Sequence, residues 1–189
     1  MEQIKIQKKG MTVRLGIQAQ FLAALAAAGM AVALPQLVHA LGAFTGMGTA
    51  LGELLLPMHL PVMLAGFVAG PWAGGLAGLL APLVSHMLSG MPLAALLPFM
   101  VIELSVYGIA AGLMSPSAMS MMGKVVSAQV AGRAVRAVAI LLGFYLLQSK
   151  VAPAVIWNSI IAGWAGILLQ WILLPLLTKW TERLISHEK

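Results

Sequence analysis

Long apolar runs, separated by short breaks rich in glycine, proline or polar residues, fill this chain. Six runs approach or exceed the roughly 20 residues that a membrane-crossing helix needs. They cover 11–34, 51–69, 72–88, 93–114, 125–148 and 154–178. This pattern predicts an all-α membrane protein of six transmembrane helices, organised as a single integral-membrane domain over residues 1–189.

The stretch from Glu53 to Met114 organises the rest. It is almost wholly apolar, is cut by prolines and glycines, and carries only two charges, Glu53 and Glu103. Isolated acids inside broken apolar helices mark small-molecule sites in membrane proteins. The second run contains Pro57 and Pro61. Because proline removes a backbone donor and breaks or kinks a helix, the ordered helix is expected to start near Met58 and run to about Gly66. The N-terminus of such a half-helix, facing a cavity, can receive an anionic group. Gly70-Pro71 reads as a tight turn with Pro71 as the first residue of the next helix. Gly66, Gly70, Gly74 and Gly78 then form a ladder that favours close packing across the hairpin.

The other connections are read as a glycine-containing, semi-apolar loop over Pro35–Ala50 with His39, a turn at Ser89–Pro92, a polar loop at Ser115–Lys124 and a turn at Lys150–Pro153. In the first run, Ala23 and Ala27, and Ala24 and Ala28, are four residues apart. Small residues at that spacing let a second helix approach closely in lipid. The second helix can belong to this chain or to a separate membrane subunit.

Composition sharpens the class. Of the 189 residues 61% are hydrophobic and only 8% are charged, against about a quarter charged in a soluble domain. That is too little polar surface to coat a globule in water. The absence of cysteine excludes disulfides, thiolate metal sites and cysteine nucleophiles. The basic segment Met1–Gly10 resembles the start of a signal peptide, but the apolar run after it exceeds the roughly 7–15 residues of a signal core.

The formal charge of +6 is distributed as a topology signal. With six spans and an inner N-terminus, Lys5, Lys8, Lys9, Arg14, Lys124, Arg133, Arg136, Lys179, Arg183 and Lys189 lie on the inner side, and only Lys150 on the outer. Basic residues concentrate on the cytoplasmic side, so both termini are expected there. Arg133 and Arg136 are read as standing near the inner mouth of the fifth span, snorkelling and orienting it. No basic run with interleaved aromatics suggests nucleic-acid binding.

Enzyme chemistry finds no support. The chain has no GxxxxGK[ST] phosphate loop, no HExxH, no GxSxG and no aspartate, so ATP hydrolysis, if involved, would fall to partner subunits. No metal or cofactor is expected. Glu53 and His59 on the second span, His86 near the end of the third, Glu103 on the fourth and Asn158 on the sixth fall in one half of the membrane. They would line an outward-facing pocket. The 13 methionines suit adaptable packing, or a large apolar ligand.

The block LPMHLPVMLAGFVAGPWAGGLAGLLAPLVSHMLSGMP, the helix carrying Glu103 with YGIAAGL, and GWAGILLQWILLPLL resemble the substrate-binding S component of energy-coupling factor (ECF) vitamin transporters. The resemblance covers most of the chain from Ala23 onward. It implies a subunit of a prokaryotic plasma membrane that captures a vitamin-like small molecule outside and works with a transmembrane coupling subunit and two ATPases. It also implies that Ala23/Ala27 or Ala24/Ala28 meet the coupling subunit. Substrate contacts would map to the Pro35–Ala50 loop, the Ser89–Pro92 turn, Glu103, Tyr107, Trp157 and Asn158. Pantothenate-like acids and cobalamin-like ligands both remain open. The rival reading is a self-sufficient transporter in which Glu103 or Glu53 exchanges protons.

Overall fold

A computed structural model describes residues 16–187. The basic segment Met1–Gly10, the beginning of the first predicted span and Lys189 lie outside the described residues. Eight helices and no strand occur among them: α1 (Ile17–Thr45), α2 (Ala50–Leu55), α3 (His59–Ala69), α4 (Pro71–Ser89), α5 (Leu97–Met114), α6 (Met121–Leu147), α7 (Ala154–Ala162) and α8 (Trp164–His187). Five stretches are long and apolar enough to cross a membrane: α1, the α2–α3 pair, α4, α5 and α6. The α7–α8 pair, bent by 57°, is the sixth when taken as one span. The multi-pass, all-helical fold expected from the apolar pattern is the one observed.

The first helix corrects the reading of Pro35. It does not stop there but continues through Pro35 to Thr45, so most of the expected Pro35–Ala50 loop is helix. The segment after Pro35 (QLVHALGAF) is strongly apolar. Proline inside a transmembrane helix is tolerated because neighbouring groups take up the freed backbone. The helix ends at Gly46, whose φ of 75° is the left-handed cap that glycine adopts without strain.

The second span breaks as its prolines predict. α2 ends at Leu55, and Leu56 has a φ of 47°, unusual for a leucine. α3 then starts at His59 with Met58 as its cap. The glycine ladder also packs closely, with α5 as its principal partner. A Cβ on Gly74 would lie 2.7 Å from the Gly66 Cα and 2.5 Å from the Gly108 carbonyl oxygen. Helices α3, α4 and α5 thus touch backbone to backbone, as small residues allow in lipid.

The last span is not the single helix expected over 154–178. It breaks at Gly163. A Cβ there would meet Leu56 Cδ1 at 2.7 Å, and one on Gly166 would meet the backbone of Leu55. The two broken spans therefore touch at their breaks. Gln170 Nε2 also lies 3.5 Å from the Leu56 carbonyl.

Ala24, Ala27 and Ala28 are buried inside the chain. Ala24 packs with Ala69 of α3 and Ala73 of α4, Ala23 borders that cluster half-buried, and Ala27 joins Val62 and Ala77. The alanine face of α1 therefore serves packing within the subunit.

Candidate functional site

A cavity of about 380 Å³ lies at the end of the bundle that carries the 46–49, 90–96 and 148–153 connections. That volume falls near the lower end of the range typical of small-molecule sites. Every span contributes to its wall: Pro35 and His39 from α1, Glu53 and His59 from the broken second span, Ser85 from α4, Glu103 from α5, Arg133 and Arg136 from α6, and Asn158 and Ser159 from α7. The break itself, Leu56–Pro57–Met58, is part of the lining. Breaking a span exchanges regular backbone for a concave wall, which membrane proteins accept where it faces a cavity.

The inner part of the cavity is a buried polar cluster. Arg136 Nη1 is 2.9 Å from Glu103 Oε2 and also donates to Ser159 Oγ at 3.2 Å. Tyr107 Oη donates to Glu103 Oε1 at 3.2 Å. Glu103 and Tyr107, four residues apart, share one face of α5, and Arg133 and Arg136, three apart, share one face of α6. Gly132 brings the two helices together, because a Cβ there would lie 2.9 Å from the Tyr107 ring. The His59 ring stands edge-on to Tyr107, with centroids 5.2 Å apart. Glu103 is only 1% exposed and His59 4%. An unpaired acid at such burial would be costly, and Arg136 supplies its counter-charge.

Three polar groups at the cavity remain unused. His39 Nδ1, His59 Nδ1 and Arg136 Nε are buried without a hydrogen-bond partner. Arg133 is half-buried and makes no ion pair or hydrogen bond among the described residues. His39 owes its place to Gly52, where a Cβ would come within 2.6 Å of the imidazole. Among the described residues, no three His, Cys, Asp or Glu side chains gather into a metal-holding group.

Four of the seven predicted pocket residues line the cavity: Glu53, His59, Glu103 and Asn158. Glu53 and Asn158 are exposed, at its edge, whereas His59 and Glu103 are buried. The other three are not lining residues. Tyr107 lies one turn behind Glu103 and donates a hydrogen bond to it. His86 Nδ1 is 2.8 Å from the Pro92 carbonyl, so it braces the turn that contributes Pro92. Trp157 is 68% exposed on the outside of α7, because α7 turns its neighbour Asn158 toward the cavity instead.

Arg133 and Arg136 require the largest correction. Neither stands at a helix mouth. Arg133 is about 18 Å along α6 from Met121, in a helix about 40 Å long. Both reach the cavity near mid-helix. Their distance from either end of the apolar run is the signal that separates them from snorkelling residues, which cluster at helix ends. His39, expected in a loop, and Ser159, which carries no local signal, are wall residues through the fold of α1 and α7.

A second buried polar cluster supports the wall from behind. Gln129 Nε2 donates to Gln170 Oε1 at 2.8 Å, and Trp171 Nε1 donates to Gln129 Oε1 at 2.7 Å. With the Gln170–Leu56 contact, this cluster ties α6 and α8 to the break in the second span.

A family model described as the ECF transporter substrate-specific component matches residues 21–178. No curated protein and no solved structure matches the chain.

Proposed function

Because the chain belongs to the family of ECF transporter substrate-specific components, and so is a substrate-binding subunit of such a transporter, we propose that it captures a vitamin-like nutrient in the cavity at Glu103 and Arg136. It then delivers that nutrient together with a transmembrane coupling subunit and two ATPase subunits. The observation that carries this reading is the cavity itself, which every span helps to line and which has a buried charged cluster at its inner part.

The cavity opens outward in this reading, in the plasma membrane of a prokaryote. With Arg133 and Arg136 removed from the topology count, Lys124, Lys179 and Arg183 still stand at the end opposite the cavity, and Lys150 at the cavity end. That bias supports cytoplasmic termini. The volume of about 380 Å³ favours a small metabolite over a corrinoid macrocycle. Contact with the coupling subunit through α1 would use Ala23 and the exposed residues beside it, with Ala24, Ala27 and Ala28 supporting that helix from within. Of the two acids in the proton-exchange reading, Glu103 is held by Arg136 and Tyr107, and Glu53 is exposed at the cavity edge.

Reconstitution tests the proposal. The chain is placed in proteoliposomes with and without the coupling subunit and ATPases, and uptake of radiolabelled vitamins is followed. Uptake that requires the partners and ATP is expected. Uptake by this chain alone, driven by a proton gradient, would overturn it.

A further inference from the structure

We propose that the substrate is a small monocarboxylic acid, bound as its anion, and that Arg133 and the free Nε of Arg136 hold its carboxylate deep in the cavity. The inference rests on the substrate-binding role proposed above and adds the chemical class of the ligand.

Charge sets the first constraint on the ligand. The chain contains five acids, and only Glu53 and Glu103 fall within the membrane-spanning part. Glu103 already neutralises Arg136. Glu53 is exposed at the edge of the cavity and makes no ion pair with Arg133. The inner cavity therefore holds two guanidinium groups and one carboxylate. A charge at membrane depth costs several kcal/mol unless it is paired or hydrated. One further negative charge, supplied by the ligand, balances the site. A phosphate dianion would overshoot that balance beside Glu103, and a cation would add to the excess.

Unused donors support the same class. Arg136 spends Nη1 on Glu103 and Ser159, leaving its buried Nε without a partner. Arg133, three residues earlier on α6, makes no hydrogen bond or ion pair among the described residues, although its charge also acts on Glu103. Guanidinium donors match the two oxygens of a carboxylate, and such charge-assisted bonds are the strong ones. His59, 4% exposed, adds an unpartnered nitrogen to the same wall. Leu56, Met58, Leu96 and Met100 give the lining an apolar part, beside the polar His39, Thr49, Ser85 and Asn158. The ligand is therefore amphiphilic: its carboxylate sits inward and its body packs on the leucine and methionine side chains of the wall.

The test uses the full chain in lipid nanodiscs and calorimetric titration. The probes are pantothenate, biotin and nicotinate, their uncharged counterparts panthenol, biotinamide and nicotinamide, and riboflavin, thiamine and flavin mononucleotide for the neutral, cationic and phosphate classes. One carboxylate is expected to bind, with its uncharged counterpart weaker by about 10- to 100-fold, the range of one charge-assisted hydrogen bond. Arg133→Gln should erase that preference while leaving thermal stability unchanged, and Arg133→Lys should restore part of it. Tight binding of riboflavin, thiamine or flavin mononucleotide would overturn the carboxylate assignment and leave the substrate-binding role standing. Unaltered carboxylate preference in Arg133→Gln would also overturn it. If no probe binds to the folded protein, the carboxylate assignment falls, and the substrate-binding role is left to the reconstituted uptake assay.

Discussion

Arg136 and Glu103 form an ion pair of 2.9 Å between α6 and α5, with Arg136 11% exposed and Glu103 1%. Removing one partner of such a pair strands the other, which typically costs about 3–5 kcal/mol. Glu103→Ala is therefore expected to lower the thermal midpoint in detergent markedly and to weaken substrate binding. The double variant Glu103→Ala/Arg136→Met should recover much of the stability but not the binding, because it removes both charges and a cavity donor. Thermal unfolding of the two single variants and the double variant measures the coupling; additive losses would mean that the pair contributes little.

Ala24 and Ala26 lie on opposite faces of α1. Ala24 is fully buried beside Ala69 and Ala73, whereas Ala26 is exposed. A leucine at position 24 has no room, and overpacking usually costs about 1–3 kcal/mol. Ala24→Leu should lower the thermal midpoint, and Ala26→Leu should leave it unchanged. If Ala24→Leu keeps full stability and full ligand binding yet stops transport, the alanine face meets the coupling subunit rather than α3 and α4.

The buried amide pair behind the cavity makes a separate prediction. Gln129 bonds both Gln170 and Trp171. Gln129→Leu leaves the Trp171 N–H and the Gln170 carbonyl oxygen without their partner, at a cost of about 1–3 kcal/mol for a buried unsatisfied group. The loss should be visible in thermal unfolding and as a shift in tryptophan emission. Gln129→Glu, which keeps an acceptor for Trp171, should preserve the emission better than Gln129→Leu.

Much of this architecture can be read from local chemistry. Pro57 and Pro61 announce the break in the second span, and the glycines from Gly66 to Gly78 announce the close packing. Pro35 carries the same local signal as Pro57 but lies inside a continuous helix. What separates them is tertiary: α1 continues along an apolar face, whereas the α2–α3 break receives Gly163 and Gln170 from the far end of the chain. The site is legible to the same degree. An acid in an apolar span marks Glu103, but its counter-charge lies 33 residues away on α6. Arg133 and Arg136 are not legible in the same way, because a pair of arginines early in an apolar run looks the same as an anchor until the helix start is known to be Met121. Trp157 and Asn158 are adjacent, and only the rotation of α7 decides which one faces the cavity.

The contact between the two broken spans yields a prediction that separates side-chain from backbone crowding. A Cβ on Gly163 would press on Leu56 Cδ1, the end of a movable side chain. A Cβ on Gly166 would press at 2.5 Å on the carbonyl carbon and oxygen of Leu55, which are fixed by the end of α2. Gly163→Ala should therefore be absorbed by a rotamer change at Leu56, while Gly166→Ala must push α8 away from α2. The expected cost is about 1–3 kcal/mol at Gly166 and clearly less at Gly163. Since Leu56 lines the cavity, Gly163→Ala should alter affinity with little cost in stability, whereas Gly166→Ala should lower both. Thermal midpoints and binding titrations of the two variants check both halves. Equal losses at the two positions would mean that the break moves as one rigid corner, with Leu56 no freer than the backbone beside it.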